Sequence, residues 1–169
     1  MTSFKFKSAI AGLALALSAA ALTPANAFNY LNFQRIAQHD YWASFSVKVD
    51  GAPGTGAVTT MKDGSSIAVL FVKKHAFFIT DDDNWRLAPN TPISVHLELD
   101  GVPFEASGLA LSSKEVGVGA EDQSFIKRLT TANEAVVEVN GRRWTLHLKG
   151  LNASLSEALD EIKKIEASY

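Results

Sequence analysis

The sequence predicts a mainly β protein, built as an antiparallel β-sandwich or a strongly curved sheet with a short helix near residues 121–131 and a C-terminal helix. Three observations support this fold class. Between Tyr41 and Gly119 the chain consists of short β-rich runs broken by Gly, Pro, Asp and Asn, a pattern typical of sheets rather than of βαβ units. The spacing of apolar residues becomes helical from Glu121 to Thr131, and again near the C-terminus.

Residues 1–27 have the features of an export signal. Lys5 and Lys7 form a positive n-region, Ala9 to Leu22 form an apolar h-region, and Ala25-Asn26-Ala27 is a small-x-small cleavage site. The apolar run is shorter than the about 20 residues that span a bilayer. We therefore expect a signal peptide, a periplasmic or secreted protein, and no transmembrane segment after cleavage.

The expected mature chain, residues 28–169, is long enough for a single β-rich domain with its own core, and it has no cysteine. Thiol nucleophiles, thiolate metal sites and disulfides are therefore excluded. Loss of two lysines with the signal peptide changes the formal charge from −2 to −4. This balance argues against nucleic-acid binding, because such proteins usually carry a basic patch.

The first predicted strand runs from Tyr41 to Val49 and alternates between an apolar face and a mostly wet face. The apolar face carries Tyr41, Ala43, Phe45, Val47 and Val49, and the wet face carries Trp42, Ser44, Ser46 and Lys48. Asp50 to Gly54 is predicted to be a loop, because it is rich in turn residues.

The next two strands are predicted at Ala57 to Lys62 and at Ser65 to Lys73, joined by a two-residue turn at Asp63-Gly64. Within the second of them, Ile67 to Val72 is continuously apolar, as in a strand that is covered on both faces. We therefore expect this strand at the centre of the sheet.

A strand at Ala76 to Thr80 is followed by the acidic segment Asp81-Asp82-Asp83-Asn84. The segment lacks the later glycine and glutamate of a calcium-binding loop, so we interpret it as a charged hairpin tip that keeps a strand edge soluble. Two more strands are predicted at Ile93 to Leu99, which ends in the turn residues Asp100-Gly101, and at Phe104 to Leu111.

The clearest hairpin runs from Ala135 to Leu148 and turns at Asn140-Gly141. This turn fixes the register of the two strands and places three apolar side chains on one face and an ion pair on the other. The facing pairs are Val139 with Arg142, Glu138 with Arg143 and Val137 with Trp144, and Leu146 shares the face of Trp144.

An amphipathic helix is predicted near the C-terminus from Leu155, Ala158, Leu159, Ile162 and Ile165. The preceding Ser154-Leu155-Ser156-Glu157 fits a capping box, which would begin the helix. We expect the apolar stripe to pack on the sheet. Insertion of the helix into the groove of a partner is the alternative.

Candidate bases and metal ligands are the four histidines, His39, His75, His96 and His147. None has the spacing of a metal or catalytic motif, and no Gly-x-Ser-x-Gly sequence occurs. We therefore predict no catalytic residue, no metal site and no cofactor. If the protein is an enzyme, His75, His96 and His147 are the bases to test.

Candidate binding residues are Trp42, on the polar phase of its strand, and the pair Trp85 and Arg86, which follows the acidic segment. Tryptophan and arginine are enriched at interface hot spots, which favours a role in binding. The alternative is that the two tryptophans pack in the core or at its rim.

Several segments together resemble a known family, over roughly residues 65–159. They are Asn84-Trp85-Arg86-Leu87, Ile93 to Leu99 with Asp100-Gly101, Ser124 to Leu129, Val136 to Val139, Trp144 to Leu151 and Ser156 to Leu159. In this order they resemble exported alphaproteobacterial proteins related to invasion-associated locus B. The resemblance implies a periplasmic β-sandwich, sometimes associated with host invasion or the cell envelope, and it implies no catalytic residue. Those relatives commonly carry cysteines, which this chain lacks.

Together these observations favour a non-enzymatic binding or interaction module at the cell envelope, whose partner is a protein or an envelope component. An inhibitor or immunity protein against a secreted toxin is a special case of this function. The alternatives are a carrier of a small apolar ligand, with a cavity near Phe71, Phe77, Phe78 and Trp144, and a hydrolase without a recognisable motif. The sequence leaves the oligomeric state open.

Overall fold

The computed structural model describes residues 34–49, 51–72, 75–120 and 123–167. The predicted signal peptide and its cleavage site lie outside the described residues. The described strands and helices follow one another as β1 (Gln34–His39), β2 (Trp42–Val49), β3 (Ala52–Thr60), β4 (Ser66–Val72), β5 (His75–Asp81), β6 (Pro92–Leu99), β7 (Val102–Ala110), β8 (Glu115–Ala120), α1 (Gln123–Thr131), β9 (Glu134–Val139), β10 (Arg142–His147) and α2 (Leu151–Ala167).

The ten described strands form one open antiparallel sheet in the order β1-β2-β3-β4-β5-β8-β7-β6-β9-β10. Strands β1 to β5 pair as successive hairpins, whereas β8 inserts between β5 and β7, and β6 pairs with both β7 and β9. The prediction of a mainly β fold with a short helix and a C-terminal helix is confirmed. Of the two predicted architectures, a β-sandwich and a strongly curved sheet, the structure has the single continuous sheet.

The two halves of the sheet enclose one hydrophobic core. Buried side chains from β2 to β5 and β8 belong to the same cluster as those from β6, β7, β9 and β10, and both helices contribute to it. The indole Nε1 of Trp42 in β2 donates a hydrogen bond of 2.9 Å to the carbonyl oxygen of His147 at the end of β10. Because β2 and β10 lie near opposite edges of the sheet, this contact requires the sheet to curve back on itself.

Strand β4 is covered on both faces, as the continuous apolar run predicts. Ile67 and Val69 point into the central core, and Leu70 and Val72 belong to a second cluster on the other face. The second cluster consists of Phe45, Val47, Val49, Ala68, Leu70, Val72, Phe77 and Ile79. Within the described part of the chain, neither helix adds a residue to that second cluster.

The predicted loop at residues 50–54 is too long, because β3 already begins at Ala52, which pairs with Val49. Gly51, with a φ angle of 78°, belongs to the turn, whereas Gly56 inside β3 serves packing. A Cβ atom on Gly56 would lie 2.0 Å from the carbonyl oxygen of Val69 and 3.0 Å from Cζ of Phe45. The absence of a side chain at Gly56 therefore leaves room on β3 for the Phe45 ring.

The connection from β3 to β4 is longer than the predicted two-residue turn. Thr60 pairs with Ser66, and residues 61–65 form a loop in which the Met61 N–H donates to the Ser65 carbonyl oxygen at 2.8 Å. Asp63 lies in this loop, and its side chain accepts hydrogen bonds from the N–H and the hydroxyl of Ser65. The turn residues therefore shape a loop that projects Asp63 rather than a tight hairpin.

The β9–β10 hairpin has the predicted register. Val137 pairs with Trp144, and Glu138 pairs with Arg143. Asn140 and Gly141 have φ angles of 49° and 74°, the left-handed conformations that a two-residue type I′ turn requires. This hairpin was predictable because its turn residues alone specify its register.

The C-terminal helix begins earlier than the predicted capping box. Helix α2 starts at Leu151, so Ser154 lies inside the helix, where its fully buried hydroxyl donates to the Trp42 carbonyl oxygen at 3.2 Å. Leu155 and Ala158 are buried against the sheet, as predicted, and Leu151 is buried with them, but the predicted Leu159 is 40% exposed. The side chains of Ile162 and Ile165 lie outside the described residues. In the described part of the chain, no helix is both long enough and apolar enough to cross a lipid bilayer.

Candidate functional site

The expectation that Trp42 is exposed is wrong, because both faces of β2 are covered near its start. Trp42 is 0% exposed, and so is Ser44 on the same face. Helix α2 provides the cover, since its Ser154 bonds to the Trp42 backbone and its Glu157 accepts a hydrogen bond of 3.0 Å from the Ser44 hydroxyl. Trp42 is thus a core residue, as the alternative interpretation held.

Trp85 is also buried, with 4% exposure, and its ring packs edge-on against Trp144 at 5.9 Å between centroids. Arg86 is exposed, and its Nη1 donates to the backbone oxygens of Asp83 and Trp85. Trp42 contacts His147, the last residue of β10, whereas Trp85 contacts Trp144, nearer the start of that strand. The three predicted binding residues therefore do not form one surface site.

The acidic segment is not a fully solvated hairpin tip. Asp82 is 1% exposed, and its Oδ1 accepts hydrogen bonds from the backbone and side-chain nitrogens of Asn84 at 2.8 and 2.9 Å. Only Asp83 and Asn84 are exposed. A hydrogen bond from the Lys114 ammonium group lowers the pKa of Asp83.

Asp81, the last residue of β5, is half-buried and faces Glu115 across the β5–β8 pair. Its buried Oδ1 has no hydrogen-bond partner among the described residues. Burial and, to a smaller extent, the neighbouring Asp83 carboxylate together raise the pKa of Asp81 to about 6. The buried Glu115 carboxylate accepts a hydrogen bond of 2.9 Å from the Ser112 hydroxyl.

Arg142, at the start of β10, joins two loops from the opposite half of the sheet. Its Nη2 lies 2.6 Å from Oδ2 of Asp63, and its Nε lies 2.8 Å from Oδ2 of Asp82. The second contact is ionic rather than a well-aligned hydrogen bond. The guanidinium group also lies 5.7 Å above the Trp144 ring. We call this arrangement, formed by Arg142, Asp63 and Asp82, the arginine clasp.

The four histidines lie in different surroundings. His39 Nε2 donates to Glu157 at 2.7 Å, and this bond lowers the pKa of Glu157. His147 packs against the Tyr41 ring and His75 against the Phe77 ring. His96 Nδ1 donates to Glu105 on the neighbouring strand. Across the described ranges, no three His, Asp or Glu side chains are arranged to hold a metal ion.

His96 belongs to a row of polar side chains that crosses four adjacent strands. The pairing places Glu105 of β7 opposite His96 of β6, His96 opposite Glu138 of β9, and Glu138 opposite Arg143 of β10. Each carboxylate of the row thus faces a side chain that can donate a hydrogen bond to it, as favourable cross-strand pairs do. We call these four residues the polar row.

The polar row lies on the outward side of β7, β6, β9 and β10, which we call the polar face. Strand alternation places on it Ser94, His96, Glu98, Glu105, Ser107, Glu134, Glu138, Arg143, Thr145 and His147. Four glutamates oppose one arginine on this face. Glu98 and Glu134 form no ion pair with any residue that the structure describes.

A groove of about 320 Å³ opens on the polar face beside the β9–β10 turn. Its polar lining consists of Ser94, His96, Glu138 and Asn140, and its apolar side is Pro92, with Gly141 at the turn. Ile93 also borders the groove, but its side chain packs against the central core on the other side of β6. The groove brings hydroxyl, imidazole, carboxylate and amide groups together beside an apolar wall. It is suited to bind a polar or charged group that carries an apolar portion.

Sequence reasoning found parts of this site but not the whole. The alternation of Ile93 to Leu99 places His96 and Glu98 outward, and the β9–β10 turn predicts the Glu138–Arg143 pair, whose atoms lie 3.5 Å apart. The pairing of β6 with β9 completes the polar row. Nothing in the sequence near either strand predicts that pairing.

The predicted apolar cavity is not formed by the four residues named for it. Phe71, Phe78 and Trp144 contact the central core, whereas Phe77 belongs to the second cluster on the other face of the sheet. These side chains therefore do not line one common space.

Comparisons of the chain with protein family models, with curated proteins and with solved structures found no match.

Proposed function

We propose that this chain is an exported, non-enzymatic binding module of the cell envelope, which contacts another protein through the polar face. The observation that carries the proposal is the groove beside the β9–β10 turn, where Ser94, His96 and Glu138 converge. Three paired strands hold these side chains in register, so the surface is preorganised and a partner need not order it. The resemblance to proteins related to invasion-associated locus B is part of the same proposal.

Rigid support is the reason to assign binding to this face. His96 is fixed by Glu105, and Glu138 is flanked by His96 and Arg143. By contrast, Trp42 and Trp85 are enclosed in the core and cannot act as surface anchors in the folded protein. The polar face thus replaces the tryptophans as the candidate contact surface.

Site-specific photocrosslinking in cells tests the contact surface. A photoreactive amino acid replaces Ser94 in the groove or, as the matched control, Asn152, which is exposed on α2. We expect a discrete adduct with an envelope protein at position 94 and none at position 152. Identical products at both positions, or no product at 94, would contradict the proposal. The identity of the adduct separates an envelope component from a secreted toxin.

Cell fractionation tests the export that the proposal assumes. The signal features of residues 1–27 lead us to expect the mature chain in the periplasm or medium, beginning at Phe28. A cytoplasmic chain with its intact N-terminus would contradict the assignment.

A second candidate function is hydrolysis, which the contact between His96 and Glu105 specifically favours. A carboxylate that binds Nδ1 orients an imidazole so that Nε2 can act as a base, and His96 shares the groove with Ser94. Turnover of p-nitrophenyl acetate by the purified chain, lost in His96→Ala but kept in His75→Ala, would support this candidate. Equal turnover by both variants would exclude His96 as the base.

A further inference from the structure

The groove on the polar face combines an apolar wall with an anionic wall. Pro92 contributes the apolar side, and Glu138 contributes a carboxylate. Lysine and arginine side chains match these two sides, because each has an aliphatic stem that carries a cationic head. A long basic side chain could lie along Pro92 and direct its head to Glu138.

Glu138 retains capacity to accept such a head group. Its carboxylate is 3.5 Å from Arg143 Nη1, a longer distance than in a tight ion pair, and its side chain is 46% exposed. An ionised carboxylate offers about four acceptor sites. A second cation can therefore bind Glu138 without displacing a strong internal contact.

The charge of the whole polar face points the same way. Glu98, Glu105, Glu134 and Glu138 against Arg143 give this face a formal charge of −3, most of the −4 expected for the exported chain. Such a field attracts positively charged partners and raises their association rate.

The groove volume of about 320 Å³ is at the lower end of the roughly 300–1,000 Å³ typical of ligand pockets. It lies on an extended sheet face rather than in an enclosed cavity. This geometry fits one anchoring side chain within a larger contact, as in a protein interface where an arginine anchor fills a pocket.

We propose that the partner is a protein segment that inserts a lysine or arginine side chain into the groove, where Glu138 binds its charged head. This inference rests on the proposed function, since it names the partner chemistry of the same surface. The inference concerns the charge of the partner, whereas the crosslinking experiment tests only where the contact lies.

Binding of defined peptides to the exported chain tests the inference. The probes are fluorescent peptides of alternating lysine and alanine, of alternating arginine and alanine, and of alternating glutamate and alanine, with spermine as a non-peptide competitor. We expect the basic peptides to bind, the acidic peptide not to bind, and added salt to weaken binding. The variant Glu138→Gln should weaken binding about fivefold or more.

Glu161→Gln is the matched control, because Glu161 lies on α2 beside Lys164, away from the polar face. It should leave the affinity for the basic peptides unchanged, and the urea midpoints of both variants should match that of the parent chain. The inference is overturned if neither basic peptide binds, if the acidic peptide binds as tightly, or if Glu138→Gln and Glu161→Gln have equal effects. If spermine displaces the peptide at a concentration equal to that of the peptide, the ligand of the groove is a polyamine rather than a protein segment. In each of these cases, crosslinks at position 94 would leave the proposed function standing.

Discussion

Arg142 lies with its Nε atom 2.8 Å from Oδ2 of Asp82, a carboxylate that is only 1% exposed. The two residues come from opposite halves of the curved sheet, one from the start of β10 and the other from the segment that follows β5. Their contact closes the sheet on the side where the β3–β4 loop brings in Asp63. The arginine clasp therefore satisfies a buried charge and connects the two halves.

Replacement of Arg142 by methionine is expected to reduce the free energy of unfolding by about 2–3 kcal/mol, because it leaves the buried Asp82 carboxylate without its partly exposed counterion. Arg143→Met is the matched control. The Arg143 side chain is 58% exposed and pairs with Glu138 at 3.5 Å, so its loss should cost at most about 1 kcal/mol. Urea denaturation measures both changes. Equal losses in the two variants would show that the clasp has no special role.

Mild acid is expected to stabilise the protein through Asp81. Burial raises its pKa to about 6 in the folded state, above the ordinary value of about 3.9. The folded chain then binds more protons than the unfolded chain between these values, so the free energy of unfolding increases as the pH falls through 6. The gain is on the order of 2 kcal/mol and is complete near pH 4.

Asp81→Asn isolates this contribution, since the amide does not titrate. We expect the variant to be more stable than the parent chain at pH 7.5 and to lose about half of that advantage at pH 5, as measured by urea denaturation at each pH. The carboxyls with lowered pKa, Asp63, Asp83 and Glu157, oppose the trend only below about pH 4, where they become protonated. A constant difference between variant and parent across pH 5–7.5 would contradict the assignment.

Gly150 connects β10 to α2 at a point where no side chain fits. Its φ angle is 90°, and a Cβ atom would lie 2.0 Å from the carbonyl oxygen of His39. Gly150→Ala is therefore expected to reduce the thermal midpoint much more than Gly141→Ala, whose φ is 74° but whose Cβ would meet nothing within 4 Å. The control should cost about 1 kcal/mol from backbone strain alone. Similar midpoints for the two variants would show that β1 moves away without cost.

Ser154 is expected to stabilise the fold through a tertiary hydrogen bond rather than as a helix cap. Ser154→Ala removes the donor to the Trp42 carbonyl oxygen and should cost about 1 kcal/mol. Ser156→Ala, at an exposed position in the same helix, should change stability by less than about 0.5 kcal/mol. Calorimetry of both variants compares them, and a larger loss for Ser156 would reverse the assignment.

The predictable parts of the fold were those that local sequence specifies. Asn140-Gly141 determines both the turn and the register of β9 and β10, and the continuous run from Ile67 to Val72 marks a strand covered on both faces. Helix α1 followed from the spacing of Phe125 and Leu129. In each case the decisive residues are neighbours along the chain.

The other features depend on contacts between distant segments. Trp42 shares a face of its strand with polar residues, yet α2, which lies more than a hundred residues later in the sequence, covers it. Asp82 can be buried only because Arg142 reaches it across the fold. Likewise, His96 and Glu138 meet through the pairing of β6 with β9. Composition and periodicity cannot report such pairings, which is why the polar row was not predicted as a unit.

Strands β7 and β8 share only two residue pairs, Leu109 with Gly117 and Ala110 with Val116, whereas every other described junction in the sheet has at least five. Local opening at this seam breaks few backbone bonds, and each half of the sheet keeps its own hairpins. Because the two halves share one core, such opening is confined to the seam itself. Amide protons at the seam should consequently exchange with solvent deuterium well before those of β4, without global unfolding.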